Sequence, residues 1–186
     1  AGPPPLPLPM PGRRAVPLTR AWCVYEIAGT ARVNAQRTFL LPKRERDNML
    51  TALEDEFETM AKVIAGVALQ DAEGGADDRK QIMAIAEEVG MSDLNGLVCA
   101  ALREWLAGEG RAELERRGGD GEDKETLGFV HALGRLLWTQ GKLAEAEVLW
   151  RRALVGREAT LGALDASTLQ SVSSLATLLR AQGKLK

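Results

Sequence analysis

The strongest constraint on this chain is a pattern that occurs twice. The segments ETLGFVHALGRLLWTQGKL (125–143) and STLQSVSSLATLLRAQGKL (167–185) align without a gap at an offset of 42 residues. Thr126, Leu127, Val130, Leu133, Leu136 and Leu137 meet Thr168, Leu169, Val172, Leu175, Leu178 and Leu179, and Gln-Gly-Lys-Leu closes both segments. Apolar residues at three- and four-residue steps make each segment an amphipathic helix. Self-similarity at a fixed period of this size is the signature of a solenoid, in which each repeat buries its apolar face on its neighbours.

One unit can be read in detail. A first helix is expected from about Lys124 to Gln140, with Leu127, Val130, Leu133, Leu136 and Leu137 facing inward. Gly141 should end it, because the left-handed cap conformation costs glycine nothing. A second helix is expected from about Leu143 to Leu161. Its Ala146 and Ala153 allow close approach, while Leu149, Trp150 and Leu154 fill the space beyond. Gly162 should end this helix, and Asp165 or Ser167 should cap the next. That next helix, 166–182, has no following partner in the chain, so the array reads as truncated at about 1.5 repeats. Leu175, Leu178 and Leu179 are expected to form an exposed strip, with self-association through 166–182 as the consequence.

The series Val130, Leu133-Gly134, Leu137, Gly141, Ala146, Trp150, Ala153 resembles the tetratricopeptide repeat. The 42-residue period and GKLAEAEVLWRRAL resemble its kinesin light chain subclass. The resemblance implies antiparallel helix pairs stacked into a superhelix whose concave side binds a protein or peptide ligand. It assigns the partner groove to His131, Arg135 and Trp138, then to Ser173, Thr177 and Arg180. In such repeats an asparagine pair often clamps the peptide backbone. Here those positions read His131-Ala132 and Ser173-Ser174, so the clamp is absent.

The rest of the chain is read from composition and spacing. Seven of the eight prolines lie within residues 1–17, which read as an extended proline-rich linker or a docking ligand ending in Arg13 and Arg14. A short helix is expected over 18–30 and a short strand over 33–41. A single amphipathic helix follows over 43–66, carrying Leu50, Leu53, Phe57, Met60, Ile64 and Val67. Its Glu54, Asp55, Glu56 and Glu58 read as the solvated side. Residues 71–77 read as a loop, with Asp77 capping a helix that Gly90 ends. Ser92 or Asp93 should start another helix, whose stripe is Leu94, Leu97, Val98, Ala101, Leu102, Trp105 and Leu106. Gly108 and Gly110 are expected to weaken or break it. The domain reading is therefore a linker (1–17), an α-rich domain (18–117), a glycine-rich hinge (118–122) and the repeats (123–186).

LTRAWCVYEIAG (18–29) is similar to the Trp-Cys-x-x-Glu helix of TIR domains, with Trp22, Cys23 and Glu26 on the motif. That resemblance implies NAD hydrolysis, with Glu26 steadying the positive charge that develops on the ribose. The strands and loops that build the nucleotide pocket of that fold have no counterpart in the proline-rich stretch before Leu18, so such a module would be incomplete.

The formal net charge of −2 gives no general attraction to nucleic acid or to an anionic membrane. No apolar run is long enough for a transmembrane helix. Cys23 and Cys99 lack metal-ligand spacing and fit reduced thiols in a cytoplasmic protein. The single histidine leaves no metal site that needs two. The expectation is a mainly α protein without cofactor or metal. A tetratricopeptide α-solenoid fragment follows a small α-rich domain that has room for one or two short strands. It serves as a protein-interaction scaffold or adaptor, and the alternative is the TIR-like NAD hydrolase module at Glu26.

Overall fold

The computed structural model describes residues 24–27, 43–71, 74–118 and 122–184, all helix or helix-connecting turn. The expected linker, the strand at 33–41 and most of the helix at 18–30 lie outside these residues. Residues 24–27 are helical, with Val24 and Ile27 buried. The chain divides into two compact units, one of residues up to Ala52 with Glu56–Trp105, the other of Leu53–Asp55 with Leu106–Lys186.

In the first unit, α1 (Lys43–Asp55) and α2 (Phe57–Ala65) replace the single expected helix. The break is shallow, because Glu56 N–H donates to Ala52 O (2.9 Å) and Met60 N–H donates to Glu56 O (3.0 Å). The hydrogen-bond ladder thus bridges an irregular residue, and the apolar spacing survives it. Leu50, Leu53, Phe57, Met60, Ile64 and Val67 are all buried. A 3-10 turn at Leu69–Asp71 then packs Leu69 inward. Its backbone is held by Asn95 Oδ1, which accepts from Leu69 N–H at 2.9 Å, and by Arg79, which donates to Gln70 O at 2.8 Å.

Helix α3 (Ala76–Val89) starts two residues earlier than an Asp77 cap requires. Gly75 is its N-cap and no side chain caps it. Asp77 and Asp78 instead sit in the first turn, where negative charge complements the helix dipole. Gly90 ends it at φ +104°, as the glycine position suggests. Helix α4 (Met91–Arg116) begins directly after Gly90, ahead of Ser92 and Asp93. It runs unbroken for 26 residues through Gly108 and Gly110. Tertiary packing overrides weak propensity here. A Cβ on Gly110 would lie 2.8 Å from Leu133 Cδ1, so glycine is what lets this part of α4 approach its neighbour. Leu94, Val98, Ala101, Leu102 and Leu106 of the predicted stripe are buried, and Leu97 and Trp105 are half-buried. Cys99 is half-buried at the stripe's edge and donates to Ile64 O at 3.1 Å.

The second unit holds the repeat: α5 (Lys124–Thr139), α6 (Leu143–Leu161) and α7 (Ala166–Ala181). The two copies of the repeated pattern begin and end in the same way. Asp123 caps α5 by accepting from Thr126 N–H, and Asp165 caps α7 by accepting from Ser167 N–H, each at 2.8 Å. At the other end, Gly141 (φ +74°) and Gly183 (φ +70°) take the left-handed conformation. Lys142 N–H reaches back to Leu137 O (3.0 Å), and Lys184 N–H to Leu179 O (2.9 Å). With Gly141 N–H to Trp138 O and Gly183 N–H to Arg180 O (3.0 Å each), they form the paired bonds of a Schellman cap at the end of each helix, which explains why Gln-Gly-Lys recurs. No strand occurs among the described residues, and no helix there is long and apolar enough to cross a membrane.

Candidate interaction surface on the helical repeat

Helices α5 and α6 pack antiparallel across two glycine contacts. A Cβ on Gly134 would come within 2.6 Å of Trp150 Cδ1 and Nε1. A Cβ on Gly156 would come within 2.4 Å of Leu127 Cδ2. Trp150 is thus seated on the backbone of α5, and its indole N–H donates to His131 O at 3.0 Å. Leu127, Val130, Leu133, Leu136, Leu137, Ala146, Trp150 and Ala153 are buried, and Leu149 and Leu154 are half-buried.

His131 does not line an open groove. It is 3% exposed, stacked on Trp150 at 5.9 Å between ring centroids. Its Nδ1 lies 3.4 Å from Ser171 Oγ on α7. Its Nε2 is buried with no hydrogen-bond partner. The reason is the neighbouring helix: α7 lies against this position and closes it. Burial, with the nearby positive charges of Arg157 and Arg135, holds the His131 pKa down to about 4, so the ring is neutral in the fold.

Arg157 is the functional-looking residue that motif reading passes over. It is 6% exposed and donates through Nη1 to Ser167 O and Ser171 Oγ, both at 2.8 Å. Burial pushes its pKa down, against the opposing pull of Asp165 and Glu54. It fastens the first turns of α7 to α6. Its signal was present in the sequence, since Ala146, Trp150, Ala153 and Arg157 continue one buried stripe at steps of four, three and four.

The other predicted groove residues stand on the surface of α5 and α7. Arg135 is half-buried, and Ser173, Thr177 and Arg180 are exposed. Trp138 is 40% exposed, with its ring 6.3 Å from that of Trp150 and tilted by 39°. One edge of the Trp138 ring therefore rests on a buried aromatic while the other meets solvent. A second anchor ties the end of α7 to α6. Lys184 Nζ donates to Glu147 Oε2 at 2.7 Å and Arg151 Nε to Glu147 Oε1 at 2.9 Å, holding the Glu147 pKa down to about 2.

The acidic run near Asp55 is only partly solvated. Asp55, Glu56 and Glu58 are exposed, but Glu54 is half-buried, 3.6 Å from Arg117. Burial raises its pKa, and Arg117 offsets part of that rise. Arg117 also lies over the Phe129 ring, 4.4 Å from its centroid. Glu26 is exposed on the helical turn at 24–27, while Trp22 and Cys23 lie outside the described residues.

Comparison with known proteins agrees with the repeat. No curated protein and no solved structure matches the chain. Residues 126–165, which take in all but the first two residues of α5, all of α6 and the turn into α7, match the tetratricopeptide repeat, a helical-repeat scaffold of protein–protein interaction.

Proposed function

We propose that this chain is an interaction scaffold or adaptor that holds a protein or peptide segment along α5 and α7, contacting Trp138, Arg135, Ser173, Thr177 and Arg180. The observation that carries this reading is the half-exposed Trp138 braced on the buried Trp150. A large ring whose orientation is already fixed loses little entropy on binding, and such rings anchor many interfaces. Arg180, exposed at the same register one repeat later, favours a segment with acidic side chains. His131 contributes by packing beneath this surface rather than by touching a ligand. The 42-residue period supports assigning the repeat to the kinesin light chain subclass, and we assign the protein to the cytoplasm on its cysteine usage. The hinge at 118–122 and the domain limits 18–117 and 123–186 belong to the same proposal.

The test is a displayed library of short acidic and aromatic peptides, panned against the chain and against its Trp138→Ala variant. Selected peptides should bind the variant at least about tenfold more weakly, the loss of one aromatic anchor. Equal binding, with helicity unchanged by circular dichroism, would remove Trp138 from the site. The alternative, NAD cleavage at Glu26, rests on the motif alone. Turnover by the chain that is lost in Glu26→Ala would favour it.

A further inference from the structure

Helix α7 has a face that its counterpart α5 keeps covered. Leu127 and Val130 of α5 are completely buried, whereas Leu169 and Val172, at the same register, are 50% and 43% exposed. The expected exposed strip is thereby corrected: Leu175 and Leu178 are buried against α6, and Leu179 is half-buried. Helical spacing puts Asp165, Leu169, Val172, Ala176 and Arg180 on one stripe. Arg180 is the only charged residue within α7, and Asp165 is its N-cap. Among the described residues Arg180 makes no ion pair.

We propose that this stripe pairs with the same stripe of a second copy of the chain, with the two α7 helices antiparallel about the midpoint between Val172 and Ser173. That arrangement sets Leu169 opposite Ala176 of the second copy. It also sets Arg180 opposite Asp165 of the second copy, twice by symmetry. Charge complementarity selects this orientation. A parallel pair would place like charges side by side and align the helix dipoles, whereas the antiparallel pair opposes both. The uncharged Ser, Thr, Leu, Val and Ala between the two charges leave nothing costly to desolvate. Val148 and Val155 are also exposed, but they stand between Arg151, Arg152 and Glu158 on α6 and form no such stripe. The pairing face is distinct from the Trp138 surface and shares only Arg180 with it.

The experiment is sedimentation equilibrium of the 186-residue chain from about 10 µM to about 1 mM, the range suited to a small interface. The mass should rise from 20.1 kDa toward twice that value. The Leu169→Lys/Val172→Lys double variant should remain at the monomer mass throughout, with its circular dichroism unchanged because both positions are exposed. Arg180→Glu should weaken association about fivefold or more, with the loss shrinking at high salt. A strict monomer at 1 mM would overturn the proposal, leaving the stripe to a different occupant. Association untouched by the double lysine variant would overturn it as well. Association unchanged in Arg180→Glu would overturn the antiparallel arrangement.

Discussion

Helices α5 and α7 carry nearly the same apolar pattern 42 residues apart, yet one is enclosed and the other is half open. On α5, Leu127 seats against Gly156 and Leu133 against Gly110. Arg117 of the turn after α4 covers Phe129 at 4.4 Å. On α7, the buried positions are Thr168, Ser171, Leu175 and Leu178, with Leu169 and Val172 left to solvent. The caps at both ends are equivalent. The pair therefore separates what the chain encodes locally, namely helix limits and caps, from what only neighbours supply, namely burial. The glycines make the same point. Gly134 is required because Trp150 lies on it, while Ala176, at the same register, is tolerated.

The largest effect should come from the contact α7 lacks. Trp150→Ala should cost about 4 kcal/mol in denaturant unfolding, from lost burial and the cavity left behind. Gly134→Ala should cost about 3 kcal/mol, because the indole it would strike is wedged and hydrogen-bonded. Leu127→Ala and Leu169→Ala sharpen the comparison. The first should cost about 3 kcal/mol and the second under about 1 kcal/mol at concentrations where the chain is monomeric. Equal costs would mean that the two helices are covered alike.

The next effect depends on pH. His131 titrates near 6.5 when unfolded and near 4 in the fold, so between those values the unfolded chain binds more protons. Its contribution is complete above pH 6.5 and is lost as pH falls toward 4. The size is on the order of 3 kcal/mol. His131→Asn should flatten the stability profile in that window. An unchanged slope would mean that other groups carry it. A small effect belongs to the shared feature. Gly141→Ala and Gly183→Ala should each cost about 1 kcal/mol, and should agree with each other, because both sit at the same left-handed cap.

Much of the architecture was legible in the residues. The 42-residue offset located α5, α6 and α7 to within a residue, because caps and apolar steps are local signals. Where the structure departs from the sequence pattern, the cause is a neighbour or fine backbone detail. Gly108 and Gly110 looked like a helix break, yet α4 runs through them because Leu133 needs the close approach at Gly110. His131 looked like a groove residue, but α7 closes over it. Leu175 and Leu178 looked like the open strip because the sequence does not say which side α6 covers. Glu56 shows a subtler limit, since a one-residue irregularity between α1 and α2 leaves the apolar spacing intact. At the candidate surface, Trp138, Ser173, Thr177 and Arg180 are exposed. The buried anchor Arg157 was missed because a charge on an apolar stripe reads as an exception until its acceptors are seen.

Amide hydrogen exchange of α5 and α7, measured at two protein concentrations, reads the contrast between them most directly. In dilute solution α5 should open only with global unfolding, while α7 should open at lower free energy. At high concentration α7 alone should gain protection. Equal protection of the two helices in dilute solution, or no response of α7 to concentration, would contradict the account.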